Sequence, residues 1–88
     1  MELDQYEKEI LNIAIHPESF DQILEEFSGD AFILGDCLRS LARKKLLFIL
    51  EREENAEGWK RRVIYDADKL PSYRYQLSAK GLELRDSM

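Results

Sequence analysis

The sequence predicts an α+β fold, a three-helix bundle carrying a small antiparallel β-sheet, built as a single domain from residues 1–88. Three observations predict it. Apolar residues recur at helical spacing through three segments in the first half of the chain. Pro17 and the tripeptide Ser28-Gly29-Asp30 break those segments apart. After residue 45 the period falls from 3.6 to 2, in stretches rich in aromatic and β-branched residues separated by polar runs.

Tyr6, Ile10 and Ile13, flanked by Leu11 and Ala14, make one stripe of a first helix over 3–15, whose other faces are acidic. Pro17 disfavours helix at His16 and ends it. Ser19, with Gln22 three residues on, has the pattern of a capping box, and Phe20, Ile23, Leu24 and Phe27 carry a second helix over 19–28. Gly29 stops that helix and Asp30 caps the next, so a turn of about three residues forces the two to cross steeply. In the third helix, 30–45, Ala31, Leu34, Leu38, Leu41, Ala42 and the stem of Lys45 face the core, and Phe32, Ile33, Asp36, Ser40 and Arg43 face away. Residues 46–50, LLFIL, read as a strand, and the polar residues 51–58 read as a loop. The hairpin partner is 59–65, with Trp59, Arg61, Val63 and Tyr65 on one face and Lys60, Arg62, Ile64 and Asp66 on the other. Residues 66–72 read as another loop and YRYQL, 73–77, as a third strand. Ser78 then caps a short last helix, which Gly81 weakens.

Composition narrows the function. With 44% apolar and 35% charged residues the chain has the make-up of a folded domain. A chain of 88 residues buries roughly 60–65% of its unfolded surface, enough for one core without metal or disulfide. Cys37 is the only cysteine, which excludes an intrachain disulfide and a cysteine-built zinc site, and its place among leucines reads as a small buried hydrophobe in a reducing, cytoplasmic setting. No apolar run approaches the ~18 residues of a spanning helix, and the acidic start lacks the regions of a signal peptide, so neither membrane insertion nor export is expected. The net charge of −5 is unevenly spread: residues 1–30 hold nine acids against one base, and residues 31–62 hold eight bases against five acids. An electrically polar molecule follows.

Two stretches sharpen the fold. Residues 38–47, LRSLARKKLL, look like the end of a recognition helix running into a first wing strand, and residues 75–84, YQLSAKGLEL, are similar to a Y-x-L-T-x-x-G-x-x-L ending. Together with the element order they resemble the winged-helix (winged helix-turn-helix) family, and within it bacterial regulators of the multiple-antibiotic-resistance and phenolic-acid types, over nearly the whole chain. Those regulators usually carry Gly where this chain has Lys45 and Thr where it has Ser78. The resemblance implies a transcriptional regulator that binds double-stranded DNA, without a cofactor.

DNA affinity comes largely from cations that neutralise phosphates. Arg39, Ser40, Arg43 and Lys44 late in the third helix would approach the groove, and Lys60, Arg61 and Arg62 would hold phosphate from the wing. The bland reading is that helix-end bases complement the dipole and strand bases solvate an exposed face. The alternative function is a protein-interaction module, or adaptor, without DNA binding. Phe32, Ile33 and Asp36 on the outward helix face, with the apolar run 46–50, would then meet a protein partner or a second copy; simple core packing is the competing explanation. Too few residues follow Gly81 for a pairing helix, which leaves the first helix for self-association. No catalytic or metal-ligating constellation emerges: His16 is the only histidine, Glu25-Glu26 and Glu53-Glu54 point apart, and no phosphate loop is present. An enzyme is not expected.

Overall fold

A computed structural model describes residues 3–52, 58–62 and 65–87. Gln5–Ile13 forms α1, Glu18–Ser19 the short strand β1, Phe20–Glu26 α2 and Ala31–Arg43 α3. Leu47–Arg52 and Trp59–Arg62 are β2 and β3, a 3-10 helix spans Ala67–Ser72, and Arg74–Leu77 and Ala79–Asp86 are β4 and α4. Over the described residues the protein is α+β, with four α-helices, the 3-10 helix and a four-stranded antiparallel sheet in the order β1-β4-β2-β3.

Every α-helix starts where a side chain satisfies one of its free backbone donors. Asp4 Oδ1 accepts from Glu7 N at 2.8 Å, Ser19 Oγ from Gln22 N at 3.2 Å, Asp30 Oδ1 from Ile33 N at 2.9 Å and Ser78 Oγ from Gly81 N at 3.1 Å. The expected caps at Ser19, Asp30 and Ser78 are therefore present. Asp4 and Glu7 add a capping box that starts α1 later than expected. Ile10, Leu11, Ile23, Leu34, Leu38 and Leu41 then face Leu46, Ile49 and Tyr75 across one buried cluster.

The sheet departs from expectation in three ways. It gains β1, whose Glu18 and Ser19 pair with Tyr75 and Arg74 of β4; two residues are too short to display a period, and only the edge of β4 makes them a strand. The segment expected as a loop at 66–72 is instead a 3-10 helix. Asp66 caps it by accepting from Asp68 N at 2.9 Å, and the buried Tyr75 hydroxyl donates to Leu70 O at 2.5 Å. Burial, and then the neighbouring Tyr73 and Tyr65, hold the Tyr75 phenol well above its ordinary range, so it remains a donor. Finally, the apolar run 46–50 is no exposed patch. Leu47 and Ile49 pair with Leu77 and Tyr75 on the helix side, while Leu50, on the other side opposite Arg74 and Arg61, is still buried. The expected second strand reaches past Arg62 to Val63 and Ile64, which lie outside the described residues, as do residues 53–57 of the expected loop.

α3 ends in a Schellman turn: Leu46 N donates to Leu41 O and Lys45 N to Ala42 O, both at 3.0 Å, which puts Lys45 at φ 62°. Lys45 is thus outside the helix and exposed, its stem off the core side where helical periodicity put it. A side chain in this left-handed conformation costs roughly 1–2 kcal/mol that glycine avoids. Lys45→Gly is therefore expected to raise stability by about 0.5–1 kcal/mol, after allowing for the greater freedom of glycine in the unfolded chain, as read by urea denaturation.

Candidate functional site

Helical geometry places Phe32, Asp36, Arg39 and Arg43 within one narrow stripe of α3, because steps of four and three residues nearly close a turn. The stripe faces away from the core. Phe32 is 79% exposed, more than any other large apolar side chain among the described residues, and Asp36 and Arg43 are exposed as well. Arg39 lies back along the helix and pairs with Asp36. Between the N-terminal half of α3 and the 3-10 helix runs a groove of about 600 Å³, walled by Phe32, Gly35 and Arg39 on one side and by Asp68, Leu70 and Pro71 on the other. The bond from Tyr75 to Leu70 holds that second wall in place.

The predicted cations are not one surface. Lys44 turns inward to Glu7, with Nζ 2.8 Å from Oε2, and Ser40 Oγ donates to the same oxygen at 3.1 Å. Glu7 is only 5% exposed and also accepts from Asp4 N at 3.3 Å, so α1 and α3 are joined through a buried carboxylate. Ser40 and Lys44 therefore belong to the bundle, which corrects the placement of Ser40 on the outward face and of both among the groove contacts; α1 packs against that edge of α3. Ile33 is corrected in the same way, being half-buried against the core. Leu50 is buried on the face of the sheet turned away from the helices.

The hairpin divides its own cations. Arg61 is the cross-strand partner of Leu50 and Lys60 that of Glu51, so the pleat sends them to opposite faces. The Arg61 guanidinium lies over the Phe48 ring, 3.9 Å from its centroid. Lys60 is engaged within the chain. The side chain of Arg62 lies outside the described residues, as does that of Trp59. Phe48 also walls a second groove of about 520 Å³ with Ala42, Arg43, Lys45 and Tyr65. Arg43 and Lys45 thus line the groove that Phe48 walls, and Arg61 covers the Phe48 ring, whereas Arg39, Lys44 and Lys60 line no part of that groove. Lys45 was missed as a groove cation because helical periodicity carried it to the core side. The signal that could have found it lies in the resemblance alone: the regulators that the sequence resembles usually carry glycine at the corresponding position, and glycine there marks a turn.

The acids of the first thirty residues are also partly structural. Glu9 accepts from Ser28 N at 3.0 Å and from Ser28 Oγ at 2.6 Å, fixing the turn between α2 and α3. Cys37 is buried; burial first, then the charges of Asp4 and Glu7, push its thiol up to about 11, so it stays protonated and unreactive near neutrality. Among the described residues no group of three or more His, Cys, Asp and Glu side chains could hold a metal ion, and no helix is long and apolar enough to cross a membrane. No family model, curated protein or solved structure matches the chain.

Proposed function

We propose that the chain is a winged-helix domain that acts as a protein-interaction module, with the outward stripe of α3 as its contact surface. The order of three helices followed by a β-hairpin and a returning strand supports the winged-helix assignment, with β2 and β3 as the wing. The observation that carries the functional reading is Phe32, 79% exposed at the N-terminal end of the helix face where bases would have to be read. A phenyl ring offers base edges neither donor nor acceptor. Its neighbour Arg39 is occupied by Asp36, and Lys44, beyond the exposed Arg43, by Glu7. A solvent-facing aromatic bordered by a self-neutralised pair suits a protein surface better than a polyanion.

A second reading has its own support: Arg43, Lys45 and Arg61 gather around Phe48 beside the wing, in a position to hold a DNA backbone. One titration separates the two. On the protein-interaction reading, fluorescence anisotropy with a labelled mixed-sequence duplex at ~50 mM salt shows no saturable binding at protein concentrations where non-specific DNA binders associate, about 1–100 µM. A regulator working through the three groove cations would instead bind with a log–log salt slope of about −2.7, reduced by about 0.9 in Arg61→Ala. In parallel, Phe32→Asp is expected to abolish capture of a protein partner in cross-linked pull-downs without altering the circular dichroism spectrum. Capture that survives Phe32→Asp would refute the assignment of this surface.

A further inference from the structure

We propose, building on the protein-interaction reading, that the partner of the α3 stripe is a second copy of the chain, bound by antiparallel pairing of the two α3 helices about a two-fold axis. A two-fold interface must be self-complementary: whatever residue i meets in the partner, that residue meets i in return. The stripe has this property. With the axis passing between positions 37 and 38, Asp36 faces Arg39 of the second copy and Phe32 faces its Arg43, because each of those pairs is centred on the same point of the helix. The first contact is an ion pair made twice. The second sets a guanidinium against an exposed aromatic face, also made twice.

Charge along the stripe gives the pairing its direction. Asp36 and Asp68 border Phe32 at the N-terminal end, where they share the groove with it, and Arg43 and Lys45 share a groove at the C-terminal end. Antiparallel helices bring the acidic end of one copy to the basic end of the other; parallel helices would oppose like charges. No acid among the described residues pairs with Arg43 or Lys45, so their charges remain for this use. The existing Asp36–Arg39 pair is exposed and one helical turn long, so exchanging it for an intermolecular pair costs little. Phe32 supplies the apolar surface whose burial drives association, and its exposure is otherwise unexplained by the fold. A contact this small belongs to the weak class of interfaces, with dissociation on the order of 10–100 µM.

Sedimentation equilibrium of the full chain across about 5–500 µM tests the pairing. The expected result is a monomer–dimer equilibrium in that range, weakened roughly tenfold or more by Phe32→Asp, by Asp36→Arg and by Arg39→Asp. The double variant Asp36→Arg/Arg39→Asp restores the opposite-charge pairs at unchanged net charge and should return dissociation to within about threefold of the original. Circular dichroism of each variant checks that the exposed substitutions leave the fold in place. A monomer throughout the range overturns the inference, as does a dimer indifferent to Phe32→Asp or a charge exchange that gives no rescue. A monomer whose Phe32 is required to hold a different protein overturns the self-pairing while leaving the protein-interaction reading intact. Salt-dependent duplex binding would remove that reading itself.

Discussion

Gly81→Ala is expected to destabilise the protein by about 2 kcal/mol, although alanine is the better helix former by about 1 kcal/mol. The sign is reversed by where α4 begins. The turn at the end of α3 docks onto it: Ser78 N donates to Leu46 O at 3.0 Å and Ser78 Oγ donates to Lys45 O at 2.8 Å. A β-carbon at position 81 would overlap the Leu46 carbonyl oxygen and stand 3.2 Å from its carbonyl carbon. Backbone cannot rotate aside as a side chain can, so either α4 moves away from the α3 turn or the Ser78 bonds break. The loss corresponds to a fall of about 8–16 °C in Tm for a domain of this size. Thermal unfolding measures it, and a variant as stable as the parent would show that the contact is not as close as drawn. The residue that weakens the last helix by its propensity is thus the residue that lets the helix dock.

Lys44→Met is the other large effect, with an expected loss of about 2–3 kcal/mol. Lys44 is the cation that faces a carboxylate only 5% exposed, and without it Glu7 retains just the Ser40 hydroxyl and the Asp4 amide. An unpaired buried charge costs more than the pair contributes, so Glu7→Leu should be milder, at about 1–2 kcal/mol, because Lys44 is partly exposed and reaches water. That milder loss includes the Glu7 half of the capping box. Combining the two substitutions should recover about 1–2 kcal/mol relative to their sum, because an apolar pair then replaces the ionic one. A urea-denaturation cycle on the four proteins reads the coupling. If Lys44 were a solvated phosphate contact, Lys44→Met would change stability by less than about 0.5 kcal/mol, and the inward assignment would fail.

Much of the scaffold was legible from local pattern. The turn at Ser28-Gly29-Asp30, the capping box Ser19–Gln22 and the Ser78 cap are short-range chemistry, in which a side chain and its backbone partner are three residues apart. Asp4–Glu7 has the same spacing and was equally readable. The candidate site was legible only in part. Phe32, Asp36 and Arg43 face solvent as periodicity predicts, but Ile33, Ser40 and Lys44 lie at the border of the stripe, where about 100° per residue cannot say which neighbour arrives. α1 arrives, and brings Glu7.

By itself the sequence determined that the chain is α+β, where its second, third and last helices start, and that charge is divided between an acidic first third and a basic middle. These depend on residue type and on spacings of two to four residues, which no distant contact alters. Tertiary structure alone decided that two residues before α2 become a strand, that Lys45 adopts a left-handed turn, and which cations remain available. An ionic or hydrogen-bonding side chain is committed by whatever lies within about 3 Å of it, and for Lys44 that neighbour stands 37 residues away in the chain.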